Sequence, residues 1–149
     1  MMPNMEVEGT TSKALINYIH RVGEYLGLND YETLFEVGLF KSLSGNAHGY
    51  CQGDGELVTV EIARYDAEGR IPLNEIKRSI AHEMLHALQL ASGRMVNVGL
   101  TMHGKGMQSI KYIVEWEGHE VDMGKVDYEN QPWEIDAYGN EMEVYNNCL

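Results

Sequence analysis

Two histidines, His82 and His86, stand four residues apart in a segment whose composition favours a helix, and Glu83 lies between them. On a helix, residues four apart share one face, with Cβ atoms roughly 5–6 Å apart. Two imidazoles at this spacing can bind one zinc ion at about 2.0–2.1 Å. The carboxylate of Glu83 then projects beside the ion, where it can take a proton from a water molecule. This HExxH element therefore predicts a metal-binding helix that carries its own general base.

The residues around this element divide into an apolar stripe and a polar face, as expected for a helix that borders a cleft. The predicted helix begins near residues 72–74 and ends before Gly93, with a proline and a glycine where helix ends favour them. Its apolar stripe comprises Ile76, Ile80, Met84, Ala87 and Ala91. Its polar face comprises Ser79, His82, His86 and Gln89. A chance match to the motif would have no reason to show this separation.

Composition limits the class of protein. The 149 residues suffice for one domain with its own core, and a single domain over residues 1–149 is predicted. The net charge of −12 and the scatter of only 11 Lys and Arg residues argue against direct binding of nucleic acid. No run approaches about 18 consecutive apolar residues, so no membrane-spanning helix and no membrane partner are predicted.

The first residues and the cysteines indicate the compartment. Residues 1–9 are acidic and lack a hydrophobic stretch, so no secretory signal is expected. Cys51 and Cys148 are far apart and lack CxxC spacing, which excludes a disulfide framework and a thiolate zinc site. Both thiols are expected to be reduced, and a cytoplasmic location is predicted.

Hydrophobic periodicity predicts an α+β fold. Helices are predicted over residues 11–28, over the HExxH segment and from Pro132 onward; strands are predicted over residues 47–52, 57–63 and 110–117, with a further strand over 119–121. The first residues are expected to fray, and residues 31–43 fit either a strand or a short helix. Residues 96–106 are expected to be irregular, and loops are expected at residues 66–70 and 127–131. A small mixed or antiparallel sheet is expected to pack on the N-terminal helix and the HExxH helix, while the C-terminal helix completes the cleft.

The third metal ligand has to come from another part of the chain, because a catalytic zinc site takes three protein ligands and leaves one position to water. The helix that starts at Pro132 places Glu134 in its first turn, with Tyr138 and Glu141 on the same face. This segment is therefore the better source of the third ligand, with Glu134 in its first turn and Asp136 open as an alternative.

The C-terminal half, from Ile71 onward, carries an ordered string of motifs. They are HExxHxxQ over residues 82–89, Trp116-Glu117-Gly118, and Pro132-Trp133-Glu134-Ile135-Asp136-Ala137-Tyr138. The string resembles a group of small bacteriophage-encoded metallopeptidases, and the last motif resembles the Glu-x-(Glu/Gln)-Ala element of ImmA/IrrE-type metallopeptidases. A helical glutamate opposite an HExxH helix is also the layout of the gluzincins. The resemblance implies a zincin-like domain, Glu134 as third zinc ligand, Glu83 as general base, and a phage-derived protein in the host cytoplasm or the virion.

A second resemblance competes with the first. The run His82-Glu83-Met84-Leu85-His86-Ala87 followed by His103-Gly104-Lys105-Gly106-Met107 is similar to the HEMxHA and HGxxF elements of SprT/Spartan proteases. This resemblance implies His103 as third ligand. The chain departs from that pattern because Met107 replaces the usual aromatic residue, and the next segment alternates as a strand.

The predicted activity is zinc-dependent hydrolysis of peptide bonds in a polypeptide substrate, with Glu83 as general base. The strand over residues 57–63 is predicted to form a sheet edge that binds the substrate by strand addition. Two other classes remain open: a non-catalytic phage or virion protein in which zinc serves structure or binding through four protein ligands, and a metal-free binding module.

Other aromatic and histidine residues are given packing or surface roles. Trp116 and Trp133 are predicted to pack in the core or in a hairpin. Tyr128 and Tyr138 are predicted to pack as well, with donation to an oxyanion near the metal as the alternative. Three further histidines lack ligand spacing and are predicted to be surface or hydrogen-bonded residues: His20, His48 and His119.

Overall fold

The computed structural model describes the backbone of residues 1–102 and 110–149, and the side chains of residues 1–99 and 111–149. Its helices are α1 Lys13–Tyr25, α2 Leu73–Ala91 and α3 Pro132–Asn147. Its strands are β1 Met5–Glu8, β2 Leu34–Phe40, β3 Gly49–Gly53, β4 Leu57–Ala63, β5 Tyr65–Asp66, β6 Gly69–Arg70, β7 Met95–Met102, β8 Ile110–Trp116 and β9 His119–Asp122. The fold is therefore α+β, as predicted.

The main sheet has the strand order β1-β2-β4-β3. β1, β2 and β4 run parallel, and β3 pairs antiparallel with β4, so the sheet is mixed. Val58, Val60 and Ile62 alternate along β4 and are all fully buried. They face the core that the sheet forms with α1 and α2, because apolar residues at every second position of a strand share one face.

The strand predicted to be a sheet edge is in fact central. β4 is hydrogen-bonded to β2 on one side and to β3 on the other, so its backbone groups are already paired. The prediction that residues 57–63 bind a peptide by strand addition is therefore wrong. β3 is the edge strand beside α2, and among the described residues it pairs with a neighbouring strand on one side only.

The N-terminal residues do not fray as expected. β1 pairs with β2, and its register places Met5 opposite Phe35. The Nδ2 atom of Asn4, with two hydrogens to donate, lies 3.0–3.1 Å from the carbonyl oxygens of three distant residues: Leu28, Tyr31 and Thr33. Met2 and Met5 are buried against Gly23, where a side chain would collide with their thioether groups. Contacts with residues about 20 to 30 positions away hold this segment, and local sequence patterns do not report them.

Two further segments differ from expectation or resolve an ambiguity. Residues 31–43 contain β2, and Phe35, Val37 and Leu39 are buried with the period of two that a strand requires. Residues 96–102, expected to be irregular, lie in β7, which pairs with β8 in the order β7-β8-β9. His103 and the rest of that expected irregular segment lie outside the described residues.

The helices begin and end at residues that commonly cap or terminate helices. The hydroxyl of Ser12 accepts a hydrogen bond from the Leu15 amide and caps α1. α1 ends at Tyr25, earlier than predicted, and Gly27 at φ +73° turns the chain into a short 3₁₀ segment. α3 begins at Pro132, as predicted. In the part of the chain that the structure describes, no helix has the length and apolar character that a membrane crossing needs.

Candidate metal centre

α2 and α3 bring three donor atoms to one point. His82 and His86 lie one turn apart on α2, and α3 places Glu134 opposite them in its first turn. The Oε1 atom of Glu134 lies 2.9 Å from His82 Nε2 and 3.1 Å from His86 Nε2. The two Nε2 atoms are 3.2 Å apart. All three side chains are buried, and together they could hold a metal ion.

The Nδ1 atom of each imidazole ring, on the far side from Glu134, donates a hydrogen bond. His82 Nδ1 lies 2.9 Å from Glu141 Oε1, a carboxylate oxygen that can only accept. His86 Nδ1 lies 2.8 Å from Gln89 Oε1. The orientation of that amide is fixed, because Gln89 Nε2 donates to the Trp133 carbonyl and to Asp136, each at 2.9 Å. Both Nδ1 atoms therefore carry hydrogen, and both Nε2 lone pairs point towards Glu134.

Three acceptor atoms that converge in this way require a positive charge between them. Mutual separations of 2.9–3.2 Å are close to those of donors that share an ion bound at about 2.0–2.1 Å. Two imidazole nitrogens with one carboxylate oxygen form a donor set that suits zinc and other first-row divalent ions. The residues present therefore fit the ion that the sequence predicts.

Without an ion, protons supply the positive charge. Burial lowers the pKa of His82, but hydrogen bonds to Glu134 and Glu141 outweigh burial and raise it to about 9. The pKa of His86 is also raised, because its hydrogen bond to Glu134 outweighs burial. Burial raises the pKa of Glu134, but its hydrogen bonds from both histidines lower it to about 2. A metal ion would therefore replace protons at this site.

The Glu83 side chain projects from α2 towards the edge strand β3. Its side chain is buried, and a Cβ added to Gly49 would lie 2.7 Å from Glu83 Cγ. The absence of a side chain at Gly49 is thus what lets β3 approach the glutamate. Burial raises the pKa of Glu83, and the nearby His86 and His82 offset only part of that rise. A carboxyl group with a raised pKa beside a metal site is suited to proton transfer.

A cleft of about 530 Å³ opens beside His82 and Glu83. Its wall includes Arg78, whose guanidinium lies 3.1 Å from Glu141 Oε2. Its wall also includes His48, whose Nε2 atom lies 2.9 Å from Asp66 Oδ2. The prediction of a hydrogen-bonded or surface residue holds for His48. Of the three donor residues only His82 lines the cleft, so the cleft meets the three-donor group on its His82 side.

Two exposed tyrosines border the same group. The Tyr128 hydroxyl donates to Glu134 Oε1 at 3.0 Å and lies 3.4 Å from the Tyr138 hydroxyl. The Tyr138 ring packs on the His82 ring with their centroids 4.4 Å apart. Both tyrosines are 57% exposed; the Tyr138 ring nevertheless packs as predicted, and Tyr128 forms a hydrogen bond to Glu134. The Tyr128 hydroxyl orients the Glu134 carboxylate.

The structure brings together the residues that the sequence analysis placed on one face of α3. Glu134, Tyr138 and Glu141 all contact His82. Asp136, an alternative third ligand, lies further out and accepts from Gln89. His103, the other alternative, lies outside the described residues.

Two functional contacts were missed from the sequence. One is the Glu141 carboxylate on His82, and the other is Gly49 against Glu83. The position of Glu141 seven residues after Glu134 was a usable signal for the first, while no local pattern indicates the second. The ring centroids of Trp116 and Trp133 lie 6.5 Å apart; Trp133 is buried, as predicted, and Trp116 is half-buried.

Comparison of the chain with family models, curated proteins and solved structures found no match. The two family resemblances therefore rest on their motifs alone.

Proposed function

We propose that this chain is a zinc-dependent metallopeptidase that hydrolyses peptide bonds in polypeptide substrates. The observation that carries the proposal is the convergence of His82 Nε2, His86 Nε2 and Glu134 Oε1 beside an open cleft. Three protein donors with access for solvent are typical of catalytic zinc sites, whereas structural zinc sites are closed by four protein ligands. Zinc, when bound, supplies a Lewis acid that lowers the pKa of water and polarises a carbonyl group.

Glu83 is the proposed general base. It accepts a proton from the attacking water and passes that proton to the leaving amine. Its burial and raised pKa favour both steps, since a carboxyl group that is too acidic would accept a proton poorly. Glu141 and Gln89 hold the His82 and His86 rings in the tautomers that leave Nε2 free for the metal.

The proposed substrate is an extended segment of polypeptide that pairs with β3. This strand is at the edge of the main sheet and passes directly over Glu83 at Gly49. Main-chain hydrogen bonds to an edge strand bind extended peptides with little dependence on sequence. A peptide bound there would lie alongside the cleft that His82 and Glu83 border.

Removal and restoration of metal test this function. The zinc-loaded protein is expected to cleave an unfolded polypeptide, to lose that activity after treatment with a chelator, and to regain it with about one equivalent of zinc. Electrophoresis of the products provides the measurement. Cleavage that survives complete removal of metal would contradict the proposal. Zinc binding with no cleavage of any unfolded polypeptide would favour the structural-zinc class.

The contact between β3 and Glu83 gives a second prediction. Gly49→Ala is expected to lower kcat by about 10- to 100-fold, because the new methyl group displaces the Glu83 side chain. Metal content, measured by elemental analysis, is expected to stay unchanged. Gly55→Ala is the matched control, since nothing lies within 4 Å of a Cβ at that position. Equal activity of the two variants would show that β3 does not position Glu83.

A further inference from the structure

A second groove, separate from the metal cleft, lies at the carboxyl ends of the parallel strands β1, β2 and β4. Its volume is about 630 Å³. It is lined on its polar side by Thr10, Ser12, Lys41, Arg64 and Arg70. None of these residues borders the metal cleft. The carboxyl ends of parallel strands in α/β sheets are common positions for bound ligands.

Backbone hydrogen bonds bring the three basic residues together. The Tyr65 amide donates to the Lys41 carbonyl at 2.8 Å, which continues the pairing of β2 with β4 beyond Ala63. The Ile71 amide donates to the Arg64 carbonyl, also at 2.8 Å, and β5 pairs Tyr65 with Arg70. The cluster of positive charge is therefore built by three neighbouring segments of backbone.

The charge of this groove is opposite to that of the protein as a whole. Acidic residues outnumber basic ones by 23 to 11, yet no acidic side chain lines the groove. In the part of the chain that the structure describes, Lys41, Arg64 and Arg70 form no ion pair within 4.0 Å. All three side chains are exposed and available to a ligand. An anion bound among them would offset their mutual repulsion.

The remaining lining residues indicate the kind of anion. The cap residue Ser12 and the first-turn residue Leu15 of α1 also line the groove, and the start of a helix carries partial positive charge. Leu73 and Ile76 form an apolar wall, and Tyr65 lies beside the basic residues. Multiple cations next to apolar and aromatic surface suit a molecule with a phosphate at one end and an organic group at the other. The volume falls in the range typical of sites for small molecules.

We propose that this groove binds a small organic phosphate, with Lys41, Arg64 and Arg70 on the phosphate and the apolar wall against the organic group. Arginine side chains suit phosphate because their planar guanidinium groups donate two parallel hydrogen bonds. The site is independent of the metal centre, so its ligand need not be related to the peptidase substrate.

Calorimetric titration of metal-free protein (residues 1–149) tests this site, because removal of metal excludes binding of phosphate to a zinc ion. The probes are inorganic phosphate, pyrophosphate and adenosine monophosphate at low ionic strength. Adenosine monophosphate is expected to bind more tightly than inorganic phosphate, and Arg64→Gln is expected to weaken its binding about tenfold or more. Lys125→Gln, a change of the same charge on another part of the surface, is the control and is expected to have no effect.

Several outcomes would overturn the proposal. They are the absence of binding by all three probes, equal loss of binding in Arg64→Gln and Lys125→Gln, and tighter binding of a short oligonucleotide than of adenosine monophosphate. Lys41→Gln gives a second readout if Arg64→Gln fails to fold. The peptidase assay is run on the same Arg64→Gln protein loaded with zinc. Cleavage that is retained while phosphate binding is lost would show that the two sites are separate. The cleavage assay then tests the proposed peptidase function, and calorimetry tests the phosphate site independently.

Discussion

Glu83→Gln is expected to lower peptide hydrolysis by about two to four orders of magnitude while the protein still binds metal. Glutamine keeps the size of the side chain but cannot accept and release the proton that the attacking water must lose. Glu83 is not one of the three donors that converge on the proposed metal position, so the metal site itself is preserved. Cleavage rates and bound zinc measured on the same preparations supply the test.

Glu75→Gln is the matched control for that change. Glu75 lies on the same helix and borders the same cleft, but it is exposed and occupies the first turn of α2. Its loss is expected to change the rate by no more than about threefold, in keeping with the small effects of most surface substitutions. A zinc-loaded Glu83→Gln protein that cleaves as fast as Glu75→Gln would exclude Glu83 as the general base.

Glu134→Gln is expected to weaken zinc binding by more than about 100-fold. Loss of a residue that only orients a ligand costs about 10- to 100-fold, and loss of a ligand itself is expected to cost more. The substitution removes the charged donor that both imidazoles face and places an amide group there. Competition with a chromogenic chelator gives the affinity. Activity is expected to fall with zinc occupancy and to return partly at high zinc concentration.

Two other carboxylates on α3 serve as controls for Glu134. Glu143 is exposed, and Glu143→Gln is expected to leave zinc affinity unchanged. Asp136 orients Gln89, which in turn orients His86, so Asp136→Asn is expected to have a smaller effect than Glu134→Gln. A larger loss of affinity in Asp136→Asn than in Glu134→Gln would make Asp136 the ligand.

The local geometry of helices explains why most of the candidate site could be predicted. The spacing of His82 and His86 fixes their common face, and the proline at the start of α3 fixes which residues share a face with Glu134. Both inferences depend only on the regular turn of a helix. The structure adds that the two faces meet, with Glu141 and Glu134 on opposite edges of the His82 ring.

The parts that could not be predicted depend on pairing between distant segments. The alternation along residues 57–63 identifies a strand, but it does not say whether that strand is central or at an edge. The position of β3 over Glu83 follows from strand order, and so does the incorporation of β1 into the sheet. β7 was missed because its glycine and polar residues give a weak strand pattern, while its pairing with β8 defines it.

The most direct measurement is a crystal structure of zinc-loaded protein with anomalous diffraction recorded at the zinc edge. We expect one anomalous peak, from a zinc ion bonded to His82 Nε2, His86 Nε2 and a Glu134 oxygen at about 2.0–2.2 Å, with a solvent molecule in the fourth position. A peak held by four protein ligands, or His82 and His86 rings that face away from the peak, would contradict it.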